Sequence, residues 1–125
     1  MSTRILVIED DANLVDILTE VLTTAGYTVE ARSNGQGLAS AMLEPPALIL
    51  LDLYMPGMDG MTVRKHLLEF EPTAAVPVVL MTAQANSRKW QNDMQAVAQL
   101  DKPFHLDELL AVVRAHMPSP EGEQL

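Results

Sequence analysis

The chain has no cysteine at all. Disulfides, thiolate metal sites and cysteine nucleophiles are therefore excluded, although the compartment is not thereby settled. Long apolar runs are also missing: nothing approaches the about 18 continuous apolar residues that a membrane span needs. Basic residues are scarce, eight against seventeen acidic ones, for a formal net charge of −9. That balance disfavours contact with nucleic-acid phosphates or an anionic membrane surface. The first residues, "MSTRILVIEDD", lack a small-residue cleavage pattern and turn acidic where a signal peptide would stay apolar, so a cytoplasmic location is expected. What remains is 125 residues, 48% hydrophobic and 20% charged, the size and make-up of one globular domain. No internal repeat or low-complexity segment interrupts it.

Hydrophobic periodicity divides the chain into alternating elements. Short unbroken apolar runs predict buried strands at Thr3 to Ile8, Leu48 to Leu51 and Val76 to Met81, with shorter ones at Tyr27 to Ala31 and Ala96 to Leu100. Leu14, Ile17, Leu18, Val21, Leu22 and Ala25 recur at helical spacing between Asp11, a capping residue, and Gly26. Further helices are predicted over Gly35 to Leu43, from the cap Asp59 to about Phe70, ending near Pro72, and over His105 to His116. A weakly periodic polar stretch, Ala83 to Met94, is read as the fourth of five helices. The tail after Met117 is polar, broken by proline and expected to fray.

Five strands alternating with five helices imply an α/β fold, a parallel sheet with helices on both faces. In such a sheet every strand's carboxyl end lies on one edge, where ligands bind. Charged and polar residues stand at those ends: Glu9 and Asp10 after strand one, Asp52 closing strand three, Thr82 after strand four and Lys102 after strand five. Three carboxylates brought together repel one another unless a hard divalent cation joins them. Mg²⁺ suits such a site, because it takes a few carboxylate oxygens and accepts a phosphoryl oxygen besides. Lys102 and Thr82 offer donors to an oxyanion.

These residues sit in "ILVIEDD", "LILLDLYMPGMDG", "VVLMTA" and "LDKPF", which in this order and spacing resemble the receiver domain of two-component response regulators, the chemotaxis-regulator type included. The resemblance runs from Arg4 to about Met117. It implies a doubly wound, flavodoxin-like three-layer sandwich with strand order 2-1-3-4-5, and places the domain at residues 1–117 with a flexible tail at 118–125. By the same resemblance Asp52 accepts a phosphoryl group from a sensor histidine kinase or phosphotransfer protein and slowly loses it again. Glu9, Asp10, Asp52 and the backbone carbonyl of Tyr54 would hold Mg²⁺, Lys102 would pair with a phosphoryl oxygen, and Thr82 would donate its hydroxyl. Ala83 leaves room for phosphate, while Tyr54 and Gln84 flank the path of the hydrolytic water. Gln99 stands where the family usually has a switch aromatic. The fourth helix, fifth strand and fifth helix would form a face for a downstream protein, phosphorylation-dependent homodimerisation is a further expectation, and no contact with nucleic acid or membrane is expected.

Competing readings are weaker. A haloacid-dehalogenase-like phosphatase or phosphotransferase needs a second Asp two residues after its nucleophile, where this chain has Tyr54. A flavin site needs Ser, Thr and Gly donors after strand one, where this chain has acids. A receiver-like interaction module that is never phosphorylated usually lacks a key residue, and all are present. Asp11 and Asp59 read as helix caps, and His66, His105 and His116 as surface or helix-end residues without metal spacing. Trp90 reads as a packing residue or partner anchor, and the eight methionines as core filler.

Overall fold

The computed structural model describes residues 3–55, 57, 59–83, 92 and 94–117, with only the backbone of Asn34. The five strands are β1 (Arg4–Ile8), β2 (Thr28–Arg32), β3 (Leu48–Asp52), β4 (Val78–Thr82) and β5 (Ala98–Asp101). They form one sheet in the order β2-β1-β3-β4-β5, every pair parallel. The central strands β3 and β4 are buried at every position, which is why they read as continuous apolar runs.

The helices are α1 (Ala12–Thr24), α2 (Asn34–Leu43), α3 (Gly60–Glu69), α4 (Glu71–Ala74) and α5 (Leu106–His116). Alternate strand residues feed two cores. Ile5, Val7, Leu48 and Leu50 pack with Leu18 and Leu22 of α1 and Leu109 and Val113 of α5. Leu6, Ile8, Ile49 and Leu51 pack with Leu38 and Ala41 of α2 and Val63 and Leu67 of α3. The result is the expected three-layer sandwich. Asp11 caps α1 through Asn13 N and Leu14 N at 3.0 and 3.3 Å, and Asp59 caps α3 through Thr62 N at 2.8 Å.

Local differences from the sequence reading have local causes. Past Glu69 the chain makes one more helical turn, α4, and Pro72 sits in its first turn, where a missing N–H leaves no bond unmade. Thr73 ties the two pieces together, its hydroxyl donating to Leu67 O at 2.6 Å. Strand β4 begins at Val78 rather than Val76 because Pro77 has no N–H for the ladder and offers only its carbonyl, to Ile49 N at 3.0 Å. Tyr27 is taken by the end of α1, its N–H donating to Leu22 O, so β2 starts one residue later. Most of the fourth helix expected over 83–94, with Gln84 and Trp90, and the tail at 118–125 lie outside the described residues.

Candidate functional site

Parallel strands deliver their last residues to one edge, and Glu9, Asp10, Asp52 and Lys102 meet there. One carboxylate oxygen from each of Glu9, Asp10 and Asp52 lies within 4.8 Å of the other two. The Lys102 ammonium sits between two of them, its Nζ 2.9 Å from Glu9 Oε1 and 3.3 Å from Asp52 Oδ1. The side chains of Glu9 and Asp52 are 1% and 5% exposed, so this is an ion cluster removed from water on one side. Asp10 is exposed, at the mouth of the site. A cleft of about 430 Å³ opens beside Glu9 and Asp10, between the start of α1 and the end of β2, with Asp16, Arg32 and Ser33 on its walls.

The three acids are not equivalent. Glu9 spends both oxygens internally, Oε1 on Lys102 and Oε2 on the Asp11 N–H at 3.2 Å. Asp52 spends Oδ1 on Lys102 and on the Tyr54 N–H at 3.3 Å, leaving Oδ2 without a partner among the described residues. The Asp10 carboxylate has no partner among them either. Burial, and then the field of Asp52, push the Glu9 carboxyl above its ordinary range against the pull of Lys102. For Lys102, burial alone would lower the pKa, but its bond to Glu9 and the charge of Asp52 outweigh that and hold it up. The two raised values across one ion pair have different leading causes, burial for Glu9 and the surrounding carboxylates for Lys102, and the charge of Asp52 adds to both.

The backbone explains how the cluster is held. Lys102 N donates to Thr82 O at 2.7 Å, carrying the β4–β5 ladder one step beyond the strands and aiming the lysine back over β3. The Lys102–Pro103 bond is cis. Thr82 closes β4, fully buried, with Ala83 exposed behind it. The Tyr54 ring is 42% exposed. Gln99 lies on β5 and donates to Asp101 Oδ1 at 3.0 Å. The histidines stay outside the cluster: His105 begins α5, and His66 sits 3.8 Å from Glu69.

One residue of the site carries no functional mark in the sequence. Gly60 opens α3 with its N–H on Leu53 O at 2.9 Å, and a Cβ there would come within 2.4 Å of Asp52 O. The helix start is pressed against the main chain of the central carboxylate, an approach only glycine permits. The neighbouring Asp-Gly pair was the available signal, and it is shared with ordinary turns.

The profile of the response regulator receiver domain matches residues 5–114. The chain belongs to this family. Among curated proteins, the receiver is 42% identical over 115 residues to the DNA-binding dual master transcriptional regulator RpaA of Synechocystis sp., covering 90% of this chain and 48% of that one. It is 39% identical over 117 residues to the transcriptional regulatory protein HprR of Escherichia coli, covering 91% and 51%. The chain thus spans about half the length of the curated relatives it matches. Among solved structures, a receiver domain of a sensor histidine kinase from Pseudomonas aeruginosa, with a magnesium ion coordinated in its active site cleft, superposes with a TM-score of 0.83 at 27% identity, over 93% of this chain and 98% of that one. A chemotaxis response regulator of Vibrio cholerae has a TM-score of 0.86 at 23% identity, over 94% and 100%, and speaks for the fold alone. No helix among the described residues of the receiver is long and apolar enough to cross a membrane.

Proposed function

We propose that this receiver takes a phosphoryl group onto Asp52 from the phosphohistidine of a sensor histidine kinase or phosphotransfer protein. The carboxylate attacks phosphorus, a P–O bond forms as the P–N bond breaks, and the imidazole keeps the electron pair; carboxylates serve as such nucleophiles elsewhere. The observation that carries this reading is the division of labour at Asp52, with one oxygen held by Lys102 and the Tyr54 N–H and the other open. Lys102 neutralises charge on the phosphoryl group, Thr82 donates its hydroxyl to it, and Ala83 leaves it room. The protein's part is positioning and charge compensation, as phosphoryl transfer requires.

The donor set fits Mg²⁺. Among the described residues the available ligands are hard oxygens, and three acids against one ammonium leave an excess of negative charge that a divalent cation removes. Asp10, Asp52 and the Tyr54 carbonyl would hold the ion directly. Glu9 completes the acidic set while orienting Lys102. When bound, the ion neutralises the acids and offers a contact to a phosphoryl oxygen.

Phosphorylation then alters contacts on the face of β5, α5 and the helix expected over 83–94, where a downstream protein or a second receiver docks. Gln99 reports the state there in place of an aromatic. Tyr54 and Gln84 flank the path of the hydrolytic water, so the phosphoryl lifetime depends on them. Because RpaA is about twice as long, the DNA binding in its name is attributed to it and not to this acidic stretch. The test is incubation with acetyl phosphate, with and without Mg²⁺, followed by intact mass. A phosphoryl increment that needs Mg²⁺ and vanishes in Asp52→Asn is expected. An unmodified wild-type chain would instead favour the non-phosphorylated interaction module.

A further inference from the structure

Among the described residues, Arg64 is the one buried cation that the site does not use. It lies on α3, is 4% exposed, and is paired with no carboxylate among the described residues. Its Nε donates to Met94 O at 2.8 Å and its Nη2 to Gln95 O at 3.1 Å, while Nη1 is buried with no acceptor. Burial accordingly lowers its pKa. A buried guanidinium left partly unsatisfied is a cost, and an apolar side chain of similar length would serve stability as well or better.

The acceptors show what that cost maintains. Gln95 has φ of 53°, the only positive value at a non-glycine residue among those described. That backbone is disfavoured for a side chain such as glutamine and persists only where surroundings impose it. Immediately beyond it, Val97 N bonds Val78 O at 2.9 Å and β5 begins. At the other end, Arg64 is four residues after Gly60, so both lie on one face of α3, about one helical turn apart. One turn of helix therefore touches the main chain of Asp52 at one point and the entry to β5 at the other.

We propose that Arg64 is a positioning residue, a latch that holds Gln95 in its left-handed conformation and ties the chain entering β5 to the backbone of Asp52. The latched and released forms of the Gln95 peptide are the two states, and α3 is the lever between them. Its role in signalling rests on the reading of Asp52 as phosphoacceptor; its role in the resting protein does not. The test is hydrogen exchange on the full chain, before and after acetyl phosphate with Mg²⁺, for wild type, Arg64→Met, Arg64→Lys and Arg64→Met combined with Gln95→Gly.

In the resting state, Arg64→Met is expected to speed exchange of the amides at 95–97 at least tenfold while those of β1 and β3 stay within twofold and the melting temperature does not fall. Arg64→Lys, which keeps one donor, and the added glycine, which adopts positive φ freely, each recover part of the protection. After phosphorylation, wild type changes protection at 95–101 and Arg64→Met does not, although both gain the same mass. Unchanged resting exchange in Arg64→Met, or loss of protection spread evenly over all strands, overturns the latch. Arg64→Met failing to fold also overturns it, since an ordinary structural residue would then suffice. Failure of wild type to gain mass counts against the Asp52 reading and leaves the resting-state comparison to decide the latch.

Discussion

Two polar clusters flank β1 and are built on opposite plans. At its carboxyl end Glu9, Asp10 and Asp52 share, among the described residues, a single ammonium, that of Lys102. On the α2 face, Glu30 alone has Arg4 at 2.6 Å, Arg32 at 3.2 Å and the Ser40 hydroxyl at 2.6 Å, and Arg4 donates besides to Glu44 O. The first cluster has too little positive charge and the second more than enough. Bonds from Ser40 and Arg4 hold the Glu30 carboxyl below its ordinary range, whereas burial pushes Glu9 above. A satisfied network contributes to stability, and one left short of a cation is ready to take one up. The difference separates structural from functional electrostatics without reference to any relative.

The comparison can be broken at several points. The largest effect is expected from Asp52→Asn, which abolishes phosphoryl uptake altogether in an intact-mass assay while the fold persists by circular dichroism. Next, Lys102→Met leaves Glu9 and Asp52 buried without their cation. Since the lysine is 23% exposed, the loss should fall at the low end of about 3–5 kcal/mol in urea unfolding, and Mg²⁺ should recover more stability in the variant than in wild type. An equal response to Mg²⁺ in both would show that the cluster is not short of charge. Asp10→Asn removes the uncommitted carboxylate, so roughly tenfold or weaker Mg²⁺ binding by calorimetry is expected, together with an unchanged or higher melting temperature without metal.

The smallest effects belong to the satisfied cluster. Glu30→Gln should cost about 1–2 kcal/mol and be indifferent to Mg²⁺. The two clusters also predict opposite pH slopes. Glu30, depressed when folded, adds stability above its ordinary pKa of 4.5 that is lost as pH falls through its folded value. Glu9, raised when folded, adds stability below 4.5 that is lost as pH climbs through its folded value. Melting temperatures between roughly pH 3 and 7 should therefore lose part of their acid limb in Glu30→Gln and part of their decline toward neutrality in Glu9→Gln.

Much of the site was legible beforehand because parallel strands make sequence position and spatial position nearly the same thing at their carboxyl ends. Any polar residue closing an apolar run had to reach one edge, so Asp52, Glu9, Asp10 and Lys102 could be gathered without coordinates. Arg64 and Gly60 could not. An arginine four residues into an amphipathic helix looks solvent-facing, and nothing near it in sequence announces Met94 and Gln95. Gln95 carries no mark of positive φ either, since that conformation usually falls to glycine or asparagine. The Arg4–Glu30–Ser40 network escaped notice for a similar reason: its members are up to 36 positions apart and each is ordinary on its own.

The sequence by itself determined the number and kind of strands, the sheet that alternating elements must build and the edge where its acids collect, because hydrophobic period and turn residues act locally. Only the tertiary structure decided which carboxylate is spent on Lys102 and which stands open, how closely α3 presses on Asp52, and where a buried guanidinium finds its carbonyls. Those outcomes depend on distances of a few ångströms between residues far apart along the chain, and on which charges lose water when the layers close.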